Sequence, residues 1–214
     1  MKPRSWLHPA VPVALLLLVL PVLAQGAALR VAVFPAANAS QEVGAARIIE
    51  DILRTELKKV EATRATFLYP ADVERLLDNA SQTDRIERLN DRFSNVAQLD
   101  STAAAGLDTV LTVDAILLVK VGEWENHRVP VIGAGQSSAT VGLSFALYDA
   151  RTLKLLWTKS PREQRFSREL DASSANVNYD ETGLIQRKAD NAPPRYEIVA
   201  GDLVRDAFKK FPRG

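Results

Sequence analysis

AILLVKV at residues 115–121 and TVGLSFALY at residues 140–148 decide the fold of this chain. The first is apolar on both faces, the pattern of a central strand with layers packed on each side. The second alternates strictly, with Val141, Leu143, Phe145 and Leu147 directed one way. After it, Asp149-Ala-Arg-Thr152 reads as a turn. LKLLWT (153–158) then returns as a hairpin partner, with Leu153, Leu155 and Trp157 on one face. Residues 162–170 read as one more strand or an edge segment. Between the two deciding strands lies a loop, residues 125–136, containing Pro130, Gly133 and Gly135.

Towards the N-terminus, LRVAVF (29–34) reads as a first strand ended by Pro35. Asn38-Ala-Ser40 then offers a cap for a helix over about residues 41–60. On that helix Ala45, Ile49, Ile52, Leu53, Leu57 and Val60 share one face, while Arg47, Glu50, Arg54 and Lys58 share the other. TFLY (66–69) is a short strand closed by Pro70. A short helix follows at 72–77, and a second begins near Thr83. In the second, Ile86, Leu89, Phe93, Val96 and Leu99 recur at helical spacing, and it continues towards Gly106 or Leu111. Residues 171–194 are polar and closed by Pro193-Pro194, the mark of a long mobile loop. A last amphipathic helix spans about 195–211, with Val199, Leu203, Ala207 and Phe208 as its buried stripe. The order β-α-β-α-α-β-β-β-α makes this an α/β (α+β) chain with a mixed β-sheet covered by helices.

Residues 1–24 carry the three parts of a cleaved secretion signal. Lys2 and Arg4 are the positive region, residues 11–20 the apolar run, and Val22 and Ala24 the small residues before Gln25. The expectation is export, then one domain over residues 25–214. The sequence has no cysteine, which rules out a disulfide and a thiolate metal site, and the expected product is a periplasmic protein without a lipidated cysteine. Without Lys2 and Arg4 there remain 25 basic against 26 acidic residues, a net charge of −1. Near-neutrality gives no reason to expect nucleic acid or an anionic membrane as a partner. One of the two histidines, His8, lies in the signal, so a multi-histidine metal site within residues 25–214 is excluded.

The remaining motifs are weak. Gly133-Ala-Gly135 precedes a strand instead of opening a helix, so it is no phosphate fingerprint. His127 sits among Glu125, Asn126 and Arg128 with no Gly-x-Ser-x-Gly elbow anywhere, and reads as a solvated side chain. The acids from Asp72 to Asp91 alternate with Arg75, Arg85, Arg88 and Arg92, as on an ion-paired helical surface. Arg162, Arg165 and Arg168 recur every third residue near Phe166, the pattern of an anion or partner surface or, more often, of plain exposure. Asn38-Ala-Ser40 and Asn79-Ala-Ser81 match the glycosylation pattern, but both fall where a cap or turn is expected. Trp157 is expected in the core. Trp124, beside the charged loop, is expected on a contact surface with Glu125, His127, Arg128 and Val131.

VDAILLVKVGEWE (113–125), ATVGLSFALYDARTLKLLW (139–157) and LRVAVFP (29–35) together resemble the CsgG-like superfamily, that of the curli-secretion channel lipoprotein. The superfamily is similar to the penicillin-binding-protein activator lipoprotein and to the N-terminal domain of the Tol-system propeller protein. Its Asp-x-x-Thr-Gly turn stands here as Asp149-Ala-Arg-Thr152 followed by Leu153. The resemblance implies a CsgG-like αβ sandwich in the cell envelope, with no enzymatic activity and no cofactor. It implies action by binding other envelope proteins or by assembling with further copies. Residues 126–138 are too short for two membrane strands, so no pore is expected. Three readings of function follow in order: a binding or assembly module for envelope proteins, a ring-forming part of a secretion apparatus, and a periplasmic hydrolase with a carboxylate-based site. The last requires a deep cleft holding acids of raised pKa.

Overall fold

The computed structural model describes residues 28–61, 64–129, 136–167, 177–179, 185–187 and 192–212. The expected secretion signal, the glycine pair 133–135, Val131 and Arg168 lie outside them. The elements run β1 (Leu29–Val33), β2 (Ala37–Asn38), α1 (Ala45–Glu61), β3 (Ala65–Leu68), α2 (Pro70–Asn79), α3 (Asp84–Val96), α4 (Ser101–Ala104) and α5 (Leu107–Leu111). There follow β4 (Ala115–His127), β5 (Ser138–Asp149), β6 (Leu155–Lys159), β7 (Arg162–Phe166), β8 (Val177–Tyr179), β9 (Ile185–Arg187) and α6 (Tyr196–Phe208).

Seven strands form one mixed sheet in the order β3-β1-β4-β5-β6. β1 lies parallel to β3 and β4, and β2 adds a short parallel pairing to β4. β4 and β5 are antiparallel over their whole length, from Ala115↔Asp149 to His127↔Ser138. β5 is long enough to take two partners along its outer edge: β7 against residues 138–142 and β6 against 145–148. The double-sided apolar pattern of β4 is used as its composition demands. Leu117, Val119 and Val121 face α1 and α6, while Ile116 and Leu118 face α2 to α5. The result is a three-layer sandwich with two apolar cores, one on each side of the sheet.

α1 presents Ala45, Ile49, Leu53 and Leu57 to the first core, one residue per turn. It begins four residues later than its sequence pattern suggests. The Asn38 side chain instead closes a local turn, its Oδ1 accepting from Ser40 N at 3.1 Å and its Nδ2 donating to Glu42 O at 2.8 Å. In the second layer, the continuous helix expected from Thr83 towards Gly106 or Leu111 is broken. α3 ends where Ala97 turns left-handed at φ 53°. Asp100 then caps α4 by accepting from Thr102 N and Ala103 N, and left-handed Gly106 starts α5. Arg85 fixes this corner by donating to the carbonyls of Ala103 and Ala105.

Two further expectations are corrected. Residues 125–127 belong to β4 and not to a loop, because ladder pairing with β5 extends to Ser138. The segment 171–194, expected as a loop, contains an antiparallel pair, with Val177↔Arg187 at one end and Tyr179↔Ile185 at the other. Among the described residues no helix is long and apolar enough to cross a membrane.

Candidate functional site

The β4–β5 ladder positions the residues singled out from the sequence. Its register shifts between Val121 and Glu123, so Gly122 is an extra residue on β4. A bulge of this kind re-aims every side chain beyond it. Strict alternation from Val121 would turn Trp124 away from α1 and α6. The bulge turns it back, and Trp124 is 6 % exposed and part of the first core. Its ring stacks on Tyr196 at the start of α6, with centroids 5.0 Å apart and planes 26° apart. The expected contact role of Trp124 is therefore corrected, since the indole pins α6 to the sheet.

Gly142 lies opposite the bulge. A Cβ there would stand 3.1 Å from Glu123 Cβ, so a side chain at this position presses on Glu123 where the two strands approach. Glu125 and His127 are exposed, on the terminal ladder pairs with Thr140 and Ser138. Arg128 is exposed just beyond. Trp124 thus parts company with Glu125, His127 and Arg128, which remain at the surface. Tyr196 is pushed above the ordinary tyrosine range, first by burial and then by the neighbouring carboxylates of Glu42 and Glu125.

The arginine series near Phe166 is engaged. Arg162 Nε meets Glu123 at 2.8 Å across to the bulge, and Arg165 meets Glu163 at 2.6 Å and Asp202 of α6 at 2.8 Å. The acid–arginine scatter of α2 and α3 likewise forms pairs, Arg75 with Asp72 and Arg88 with Asp100. Among the described residues no group of three or more His, Asp or Glu is placed to hold a metal ion. One carboxyl, Glu50, is raised, chiefly by burial. Its Oε1 accepts from Ala36 N at 2.9 Å, so it holds the β1–β2 link against α1.

What sequence reasoning missed is that residues 155–159 share the outer edge of the sheet with the 162–166 strand, which the sequence offers as one more strand or an edge segment. β6 and β7 follow one another along β5 and have no strand beyond them among the described residues. Leu155 and Leu156 are 52 % and 47 % exposed, and Phe166 is 54 % exposed. Alternation puts Leu155 on one face with Leu153 and Trp157; the register shift between Leu147 and Tyr148 leaves Leu156 as an extra residue and separates Leu155 from Trp157. Trp157 itself is half-buried and joins an aromatic cluster with Phe145, Phe208 and Phe211, at centroid distances of 6.4, 5.4 and 5.5 Å. The signal available in the sequence was the succession Leu-Leu-Trp flanked by Lys154 and Lys159, which a one-sided strand does not need.

No protein-family model matches the chain, and no curated protein matches it in sequence. Solved structures do match. Lipoprotein GNA1162 from Neisseria meningitidis is 22 % identical, over 68 % of this chain and 88 % of that one, with a TM-score of 0.48. The PelC dodecamer from Paraburkholderia phytofirmans is 14 % identical, over 85 % and 86 %, with a TM-score of 0.47. The LpoB C-terminal domain from Escherichia coli is 12 % identical, over 63 % and 82 %, with a TM-score of 0.41. With TM-scores below 0.5, none of these likenesses bears on what the chain does.

Proposed function

We propose that this chain is an exported envelope protein that works by binding other envelope proteins and performs no chemistry of its own. The observation that carries this reading is the β6–β7 edge. An edge strand offers unpaired backbone donors and acceptors, and apolar side chains beside it give an added strand something to bury. Leu155 and Leu156 stand side by side on that edge, both about half exposed, at the point where the pairing with β5 shifts register. Lys154, Lys159, Pro161 and Arg162 surround them. Such residues discourage indiscriminate edge-to-edge pairing, which leaves docking to a segment of matching shape and charge. The occupant is an extended segment of a partner protein, laid along β6.

The test is site-specific photo-crosslinking in cells, with the probe at Leu156 and, as a control, at exposed Thr109 on α5. The expected result is a discrete adduct with one envelope protein from Leu156 alone, lost when Leu155 is changed to Asp. Equal labelling from both positions, or none from Leu156, overturns the reading.

A further inference from the structure

A second surface is independent of that edge: the groove between α1 and α6 on the outside of the sandwich. The two helices are clamped at Glu56, which is 7 % exposed. Its carboxylate takes Lys59 Nζ at 2.8 Å and Arg205 Nη2 at 3.4 Å. To either side of this clamp the groove opens into a hollow, and both hollows share Glu56 and Arg205. The larger, about 540 Å³, has an apolar floor of Ile48, Ile52, Ile198 and Gly201, rimmed by Asp51, Glu197 and Asp202. The smaller, about 210 Å³, is floored by Val60 and Phe208 and rimmed by Lys59, Arg64, Arg205 and Lys209. One hollow is therefore rimmed mainly by acids and the other mainly by bases, each over an apolar floor, with the Glu56–Arg205 pair between them.

Two details mark the floor. Ile198 is 56 % exposed on a helix whose other large apolar residues are buried. Gly201 sits in the interior of α6, where glycine costs about 1 kcal/mol relative to alanine. A Cβ at Gly201 would meet nothing within 4 Å, so nothing inside this chain calls for its absence.

We propose that the occupant is a second copy of this chain, related by a two-fold axis across the groove so that the α1/α6 layers stack antiparallel. The polarity selects this partner. A uniformly cationic helix would be repelled at the basic end and a uniformly acidic one at the other. A second copy turned end for end places each acidic end over a basic end, twice, as an isologous contact requires. The size fits a weak dimer. α1, with 17 residues, is about 25 Å long, and two helices side by side are about 20 Å across. Each copy thus contributes about 500 Å², and the total of about 1,000 Å² is at the low end for specific association.

Sedimentation equilibrium of the chain, expressed with its own leader and purified from the envelope fraction, tests this from about 1 µM to about 500 µM. The expected result is a monomer–dimer equilibrium that weakens as salt is raised. Gly201→Leu fills the groove and abolishes the dimer while the melting temperature is kept or raised. Glu197→Lys and Lys209→Glu, at opposite ends of α6 and so facing each other across the axis, each weaken self-association about tenfold or more, since each reversal acts twice. Mixing these two variants restores a dimer, because both cross-axis pairs then regain opposite charge. Monomer at every concentration overturns the proposal, as does a dimer indifferent to Gly201→Leu. Loss in the single variants without rescue on mixing overturns the antiparallel arrangement.

Discussion

Below and above the bulge at Gly122, the β4–β5 ladder is made by the same two strands under different constraints. Below it, Leu117 and Val119 face one core while Ile116 and Leu118 face the other, all at most 1 % exposed. Above it, one face still enters a core, through Trp124 and Val141, while Glu125 and His127 are exposed. The lower half is held by burial on both sides and tolerates no ambiguity of register. The upper half is held by one buried face, and its register is reset by a single extra residue. An isolated inward side chain therefore does in the upper half what a full apolar run does below.

The largest effect should come from Trp124→Ala. Losing a buried Trp costs about 3–5 kcal/mol, and here it also removes the stack on Tyr196. Glu125→Ala and His127→Ala, one and three residues away, should stay within about 0.5 kcal/mol. Urea unfolding midpoints of the three variants check this. If Trp124→Ala unfolds no earlier than the other two, the upper half is not anchored to the core.

Next is the pair of glycines facing each other across the bulge. Gly142→Val must push on Glu123 Cβ, which is only 3.1 Å from where the new Cβ would stand, and should cost about 1–3 kcal/mol. Gly122→Ala meets Gly142 O at 3.7 Å, an ordinary contact, and should be neutral or slightly stabilising because the unfolded chain loses freedom. Equal destabilisation by the two would show that the bulge, and not the close approach at Gly142, is the constrained element.

The same contrast explains what was legible. The layer order, the helix faces and the central strands follow from Ile49, Leu53 and Leu57 at helical spacing and from AILLVKV, because burial on a fixed period is a local signal. Trp124 was misplaced because a bulge is a property of two strands together, and Gly142 identifies it only once the pairing is known. The break after α3 was missed because Ala97 carries its left-handed turn without the glycine that would announce it. Residues 162–170 read as a strand or an edge segment, but that β6 is also an edge strand is hidden for a topological reason: whether a strand is central or terminal is not written in the strand. The α1/α6 groove was hidden because α6 and α1 are separated by most of the chain.

At the lower end of the ladder the turn at Asp149–Leu153 supplies a smaller test. Leu153 is left-handed at φ 58°, a conformation that favours glycine. A non-glycine residue there costs about 1–2 kcal/mol, and Leu153 offsets part of it by packing against the second core. Leu153→Ala loses the packing and keeps the strain. Leu153→Gly loses the packing and sheds the strain, at some entropic cost. The glycine variant should be more stable than the alanine variant by about 0.5–1 kcal/mol in thermal or urea unfolding. The reverse order would mean that the turn relaxes once Leu153 is gone.

The smallest effect, and the one with a sign, belongs to Asp149 in the same turn. Its carboxyl is held below the ordinary 3.8, chiefly by the backbone N–H of Thr152, with the Thr152 hydroxyl and the Arg151 N–H adding to it. A carboxylate whose folded pKa is depressed contributes stability above its unfolded pKa and loses it as pH falls through the folded value. Asn at this position keeps an acceptor for both N–H groups and removes the charge. After solvent screening, Asp149→Asn should cost roughly a few tenths of a kcal/mol at neutral pH. The two proteins should converge as pH drops below the folded pKa of Asp149, since wild type then carries a neutral side chain as well. Unfolding curves at pH 7 and at successively lower pH decide it. A gap that persists unchanged into acid would place the contribution of Asp149 in the shape of its side chain, and the lower turn would then be as insensitive to charge as the buried strands it joins.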